Sequence, residues 1–376
     1  MDQDIPLSTI ILHRDQIGHL LTILGGPTGS LLSPLNREQF PAGGVTDNKL
    51  LLEEGLLDAQ GELSEPWDQA FRYLLRPTLE VVAAIGFLDG RKALCGYGPC
   101  RKTDGLIGFT PLKDTEYQLV YPLSKDHFLS LLVAGLGLDV ETLALDIEAD
   151  MTLETLLALA GMIDAGREAR MESMLARMSA PLPEIHFERI LYNTRKGLVS
   201  NDYRWLASAI RNVFPFEFKV TQKTLLEGLS DLQELGWVEN RAEELWSFTE
   251  TFDVSRMHLE SPLNFGILSI HHQDQSGAEG IQVGILRTMA TLWSLDYQNK
   301  TPGKPLVRIS TVSGPNLAQA LQHLLEVCLE KPPSTQAEIV SHQSLSPKVD
   351  NSLCPKCHTS GQPGDRFCGT CGAAKE

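Results

Sequence analysis

TQKTLLEGLSDLQELGWV, at positions 221–238, sets Leu225, Leu226, Leu229, Leu232 and Leu235 at helical spacing on one face. Thr221 stands where an N-cap belongs, and Gly236 where a C′ glycine ends a helix. The stretch predicts a buried amphipathic helix with a hard stop. TDNKLLLEEGLLD, at 46–58, has the same plan: a capping Thr/Asp pair, a leucine-rich turn, then Gly55 followed by two apolar residues and an acid. The chain says the same thing twice.

Outward from 221–238, a helix is predicted around 203–213 before it and another over 241–252 after it, carrying Trp246 and Phe248. In the earlier copy Ser64 caps a helix with Pro66 in its first turn, running through Trp67, Phe71 and Leu74 to a stop at Pro77. Strand-like runs follow in both copies, at 79–88, 92–98, 106–110 and 115–121, then at 263–271, 281–287, 291–297 and 306–312. Asp89-Gly90 is a hairpin signal. Ser124 caps a closing helix to Leu138, as Ser313, with Pro315 behind it, caps one to about Leu329. The landmark pairs Gly55/Gly236, Pro77/Pro262 and Ser124/Ser313 drift apart slowly along the chain, as small loop insertions in a duplication would make them.

An α+β fold follows, of two pseudo-symmetric halves, each a mainly antiparallel four-stranded sheet with flanking helices outside. The expected divisions are 1–139 for the first half, 140–185 for a helical connector, 186–330 for the second half, 331–353 for a flexible linker and 354–376 for a zinc ribbon. Positions 10–24 fit either a strand or a short helix. The connector is rich in methionine, a pattern that suits the core of a helical bundle or an adaptable partner surface.

Composition narrows the function. The 48 acids against 32 bases give a formal charge of −16, which repels phosphate backbones and acidic membrane surfaces. Acids occupy the N-terminus where a signal peptide needs bases, and the longest apolar run, 128–138, is too short to span a bilayer, so a cytoplasmic protein is expected. GGPTGS at 25–30 lacks the lysine of a phosphate-binding loop, and no hydrolase or dinucleotide motif occurs, so no enzyme is expected. His271 and His272, followed by Asp274, read as exposed residues at a hairpin tip, and Cys95 and Cys100 as small buried hydrophobes.

CPKCHTSGQPGDRFCGTC, at 354–371, places two Cys-x-x-Cys pairs ten residues apart. Cys354, Cys357, Cys368 and Cys371 fit the four thiolates of a closed, structural Zn²⁺ site, with Phe367 as a small apolar plug. Through CPKC and FCGTCG the segment resembles the zinc-ribbon family found at the ends of many bacterial proteins, with His358 where the first knuckle often has glycine.

Through GLLDAQGELSEPWDQAFRYLLRPTLEV, the strands up to YPLSKDHFLSLL and the repeat near GWVENRAEELW, positions 1–330 resemble the EspG-type chaperones of type VII (ESX) secretion. The resemblance implies a cytosolic chaperone or adaptor that holds a helical, aggregation-prone secretion substrate with loops of its sheet and a helical bundle. By position that points to Pro99, Arg101 and Lys102 in the loop 99–104, and to Met171 and Met174 in the region 152–178. The zinc ribbon is not part of that family's pattern. The alternative is a regulatory protein in which 221–238 and the segment after it read nucleic acid in the manner of a winged helix, although Lys223 there faces Glu227, Asp231 and Glu234.

Overall fold

The computed structural model describes residues 7–26, 30–37, 40, 48–87, 90–99, 105–113, 115–177, 184–214, 218–260, 262–273, 278–298 and 305–330. Arg101, Lys102, Cys100, Asp274 and the four ribbon cysteines lie outside the described residues.

The chain opens with β1 (Ser8–His13) and α1 (Arg14–Ile23), so that both readings of 10–24 are realised in succession. Two short helices, α2 (Pro34–Arg37) and α3 (Asn48–Glu53), lead to α4 (Trp67–Leu75). Four antiparallel strands come next: β2 (Leu79–Phe87), β3 (Gly90–Gly98), β4 (Leu106–Lys113) and β5 (Glu116–Leu123). They are closed by α5 (Lys125–Leu136), where Ser124 and His127 form a capping box and Gly137 ends the helix in the left-handed region.

The second half begins earlier than its leucine pattern suggests, with β6 (Glu148–Thr152) and the long α6 (Leu153–Leu175). It continues through β7 (Ile185–His186), α7 (Phe187–Val199), α8 (Leu206–Val213) and α9 (Gln222–Glu234). A hairpin of β8 (Val238–Ala242) and β9 (Leu245–Phe248) leads to α10 (Glu250–Leu259). The strands β10 (Asn264–Gln273), β11 (Ala278–Arg287), β12 (Leu292–Gln298) and β13 (Leu306–Val312) and the helix α11 (Gly314–Glu330) complete it.

The two strand sets do not form separate sheets. They join edge to edge through β2 and β10 in one ten-stranded sheet of order β1-β5-β4-β3-β2-β10-β11-β12-β13-β6. That order reads as a mirrored pair about the β2–β10 seam, with β1 and β6 as matching edges, which is the duplication in spatial form. One face carries two helical clusters, built from α1, α3 and α4 against the first half and from α6 to α10 against the second. The other face is covered by α5 and α11, whose apolar residues pack across the seam with Val81, Ile85, Leu268 and Ile270. Lys125 and Glu326, 2.6 Å apart, link those two helices.

Four expectations need correction. The segment 241–252 is a hairpin followed by the start of α10, because Glu244, at φ +65, closes a tight turn that no helix contains. The connector 140–185 is not wholly helical: Glu148 to Thr152 alternate between exposed and covered positions and pair with β13, so the sheet gains an edge strand. Pro66, not Ser64, precedes the first turn of α4; the Ser64 hydroxyl instead donates to the Leu56 carbonyl at 3.1 Å. His272 is only 3% exposed, because β10 runs on to Gln273, whose N–H donates to the Thr78 carbonyl. The Gln273 Oε1 accepts from the Ser30 hydroxyl and the Leu31 N–H, both at 3.0 Å. Cys95 is half-buried on β3. No helix among the described residues is long and apolar enough to cross a membrane.

Candidate protein-interaction surface

α6 is where the second half departs from the first. The equivalent helix after β1, α1, has ten residues, whereas α6 has 23 and spans about 35 Å. Thr152 caps it, its hydroxyl oxygen accepting the Thr155 N–H at 3.1 Å. From Thr155 to Gly166 every residue is buried, since α7, α8 and α9 surround this part of the helix. A helix apolar all round belongs in a core, and these turns supply it.

Beyond Gly166 the helix leaves the core through a collar of charges. Arg167 donates to the carbonyls of Arg204 and, at 2.9 Å, Glu260, while Arg170 meets the Glu260 carboxylate at 2.5 Å. On the other flank Glu168 accepts from Asn193 at 3.0 Å and lies 3.3 Å from Arg189 and 3.6 Å from Lys196. Burial pushes the Glu168 carboxyl up, but the Asn193 hydrogen bond, Lys196 and Arg189 together outweigh it and hold it below the usual carboxylate range. Arg189 also reaches Glu172 at 2.9 Å. The last turns of α6 are thereby fixed to α7 and to the end of α10.

On this braced end Met171, Met174 and Leu175 are 57%, 66% and 84% exposed, and Tyr192 of α7 is 60% exposed. Lys196 stands 5.6 Å from the Tyr192 ring and 4.5 Å from that of Trp205. Exposed unbranched methionines on a helix end held rigid by ion pairs suit an apolar partner of variable shape. The arrangement offers binding area.

Met171 and Met174, singled out from sequence, thus share one exposed helix end. Pro99 does not join them: it is half-buried just after β3, on the first half. Leu175 and Tyr192 escaped the sequence reading, although Tyr192 lies between Arg189 and Lys196 at the helical intervals that bring all three to one flank of α7. Among the described residues no group of three or more His, Cys, Asp or Glu side chains is placed to hold a metal ion.

No protein-family model matches the chain, and no curated protein does. Among solved structures it is similar to the Mycobacterium tuberculosis type VII secretion system chaperone EspG5, in its complex with the PE25–PPE41 dimer. The two are 12% identical, with a TM-score of 0.46 over 87% of this chain and 97% of that chain. The likeness is too distant to assign the chain to a family.

Proposed function

We propose that the protein is a non-enzymatic protein-binding adaptor or chaperone whose client seats on the end of α6 and the flank of α7. The observation that carries this reading is the placement of Met171, Met174, Leu175 and Tyr192. All four are exposed, on helices braced by ion pairs, in the part of the second half that the first half lacks. The resemblance of the sequence gives the reading its finer form, a cytoplasmic, secretion-associated chaperone for a helical client. A PE–PPE dimer, named with EspG5, is the kind of client meant.

Capture of the tagged chain from its native lysate, beside a Met171→Glu/Met174→Glu variant, tests this. The retained helical client is expected to fall about tenfold or more, with the thermal midpoint unchanged, since two desolvated apolar contacts are replaced by charges. Equal retention by both proteins sinks the proposal.

We further propose that Cys354, Cys357, Cys368 and Cys371 bind one structural Zn²⁺ and serve as an accessory protein-binding element. The support is their spacing in the sequence. Elemental analysis is expected to find about one zinc per chain, lost in Cys354→Ser/Cys357→Ser, with the thiols reacting with a disulfide reagent only after chelation. A zinc-free chain with freely reactive thiols overturns it.

A further inference from the structure

The small sheet has strand order β7-β9-β8, preceded by α6, with α7, α8 and α9 lying between β7 and the hairpin. That is the order of a winged-helix module with one helix added. In such modules the helix before the hairpin presents its outer side to the partner, and the hairpin flanks it. Here that helix is α9. Leu225, Gly228, Leu229 and Leu232 face inward, leaving Lys223, Leu226, Glu227, Ser230 and Glu234 outside.

The charge on this face is one-sided. Positions 222–253 hold eight acids against Lys223 and Arg241. Asp231 is engaged by the Thr155 hydroxyl at 2.6 Å and Asp253 by Arg256, but Glu234, Glu243, Glu244 and Glu250 have no partner among the described residues. The fold gathers these four at the two ends of α9. The Thr249 hydroxyl donates to the Gly236 carbonyl at 2.7 Å, which sets Glu250 beside the end of α9. At the other end the Phe187 N–H donates to the Glu244 carbonyl at 2.9 Å, and Gln222, at the start of α9, donates to Glu188 at 3.3 Å. Leu226, near the start of α9, and Leu235, its C-cap, are exposed.

We infer that α9 and the β8–β9 hairpin form a docking face for a cationic amphipathic segment of a partner protein. Unpaired carboxylates around exposed leucines complement lysine or arginine beside apolar residues, and the same carboxylates repel a phosphate backbone. The shape is that of a nucleic-acid reader with the opposite charge. This face is independent of the client surface proposed above: Gly228 crosses α6 near Glu154 and Ala158, about 22 Å along the helix from Met171.

The test uses the full chain and a labelled 18-residue peptide of lysine and leucine at helical spacing, read by fluorescence anisotropy at low and high salt. A Glu234→Gln/Glu243→Gln/Glu244→Gln/Glu250→Gln variant is expected to bind about tenfold more weakly, whereas Glu62→Gln/Glu116→Gln/Asp139→Asn/Glu141→Gln, which lowers the net charge equally, stays within about twofold of wild type. Leu226→Ala, a single exposed change that leaves the charge intact, is expected to weaken binding severalfold at high salt. Equal losses in the two charge variants, or no loss in either, overturn the inference. So does a DNA duplex that competes with the peptide.

Discussion

Replacing Gly228 with valine is expected to destabilise the protein by about 3 kcal/mol and to lower its thermal midpoint by roughly 6–12 °C. A Cβ at this position would lie 2.7 Å from the Glu154 carbonyl oxygen and 2.9 Å from the Ala158 Cβ, inside any real contact distance. The first obstacle is backbone, so no rotamer change relieves it. The helices must separate instead, which loosens the packing of Leu225, Leu229 and Leu232 and the Thr155–Asp231 hydrogen bond together. α6 is pinned a second time at Gly161, where a Cβ would lie 2.0 Å from the Thr194 hydroxyl oxygen and 3.2 Å from the Ile190 carbonyl. Ser230→Ala, exposed on the same helix, serves as the control and is expected within about 0.5 kcal/mol of wild type. Calorimetry that finds the two variants melting together would refute a tight α6–α9 crossing.

The landmarks that revealed the duplication are those whose physics is local. Gly55 and Gly236 lie at φ +72 and +74, a region that only glycine enters cheaply, so each marks a helix stop without help from its surroundings. The two seam strands, β2 and β10, buried along almost their whole length, announce themselves as apolar runs, and β5 and β13 by their alternation. What escaped depends on neighbours. Glu148 to Thr152 form a strand only because β13 offers an edge, and the charges of Glu148 and Asp150, which Arg308 pairs at 3.4 and 2.8 Å, mask it in the sequence. The β8–β9 hairpin reads as helix because its turn sits on two glutamates instead of a glycine, although Trp246 and Phe248, two residues apart, carry the period of a strand. The methionines of α6 show the same division. Periodicity cannot say that Met162 is buried while Met171 and Met174 are exposed, since that depends on how far α7 and α9 reach along the helix.

Substituting Asp164 by alanine is expected to remove about 2–4 kcal/mol at pH 5, and less at pH 7.5. Asp164 is fully buried on α6, and its carboxylate accepts the N–H groups of Leu206 at 2.9 Å and Ala207 at 3.2 Å. It therefore caps α8, whose own N-cap residue, Trp205, provides no side-chain hydrogen bond. Alanine strands both donors inside the core, at about 1–3 kcal/mol each. Burial pushes the Asp164 carboxyl up from 3.8 to about 6, against the opposing pull of Arg167 and the two N–H groups. A carboxyl raised in the folded state contributes stability that is whole below 3.8 and is lost as pH rises through about 6, a change worth about 3 kcal/mol. The ionised group at pH 7.5 is thus the less favourable occupant of the site, and its removal costs less there. Burial also raises Asp296 to about 6, and it lowers His272, which titrates in the opposite sense, so the pH profile of the wild type alone mixes all three groups. Subtracting the profile of Asp164→Ala from that of wild type, by denaturant titration between pH 4.5 and 7.5, isolates this carboxyl. A gap that narrows as pH rises is the expected result; one that stays flat means that Arg167 dominates, with the carboxyl ionised throughout the range.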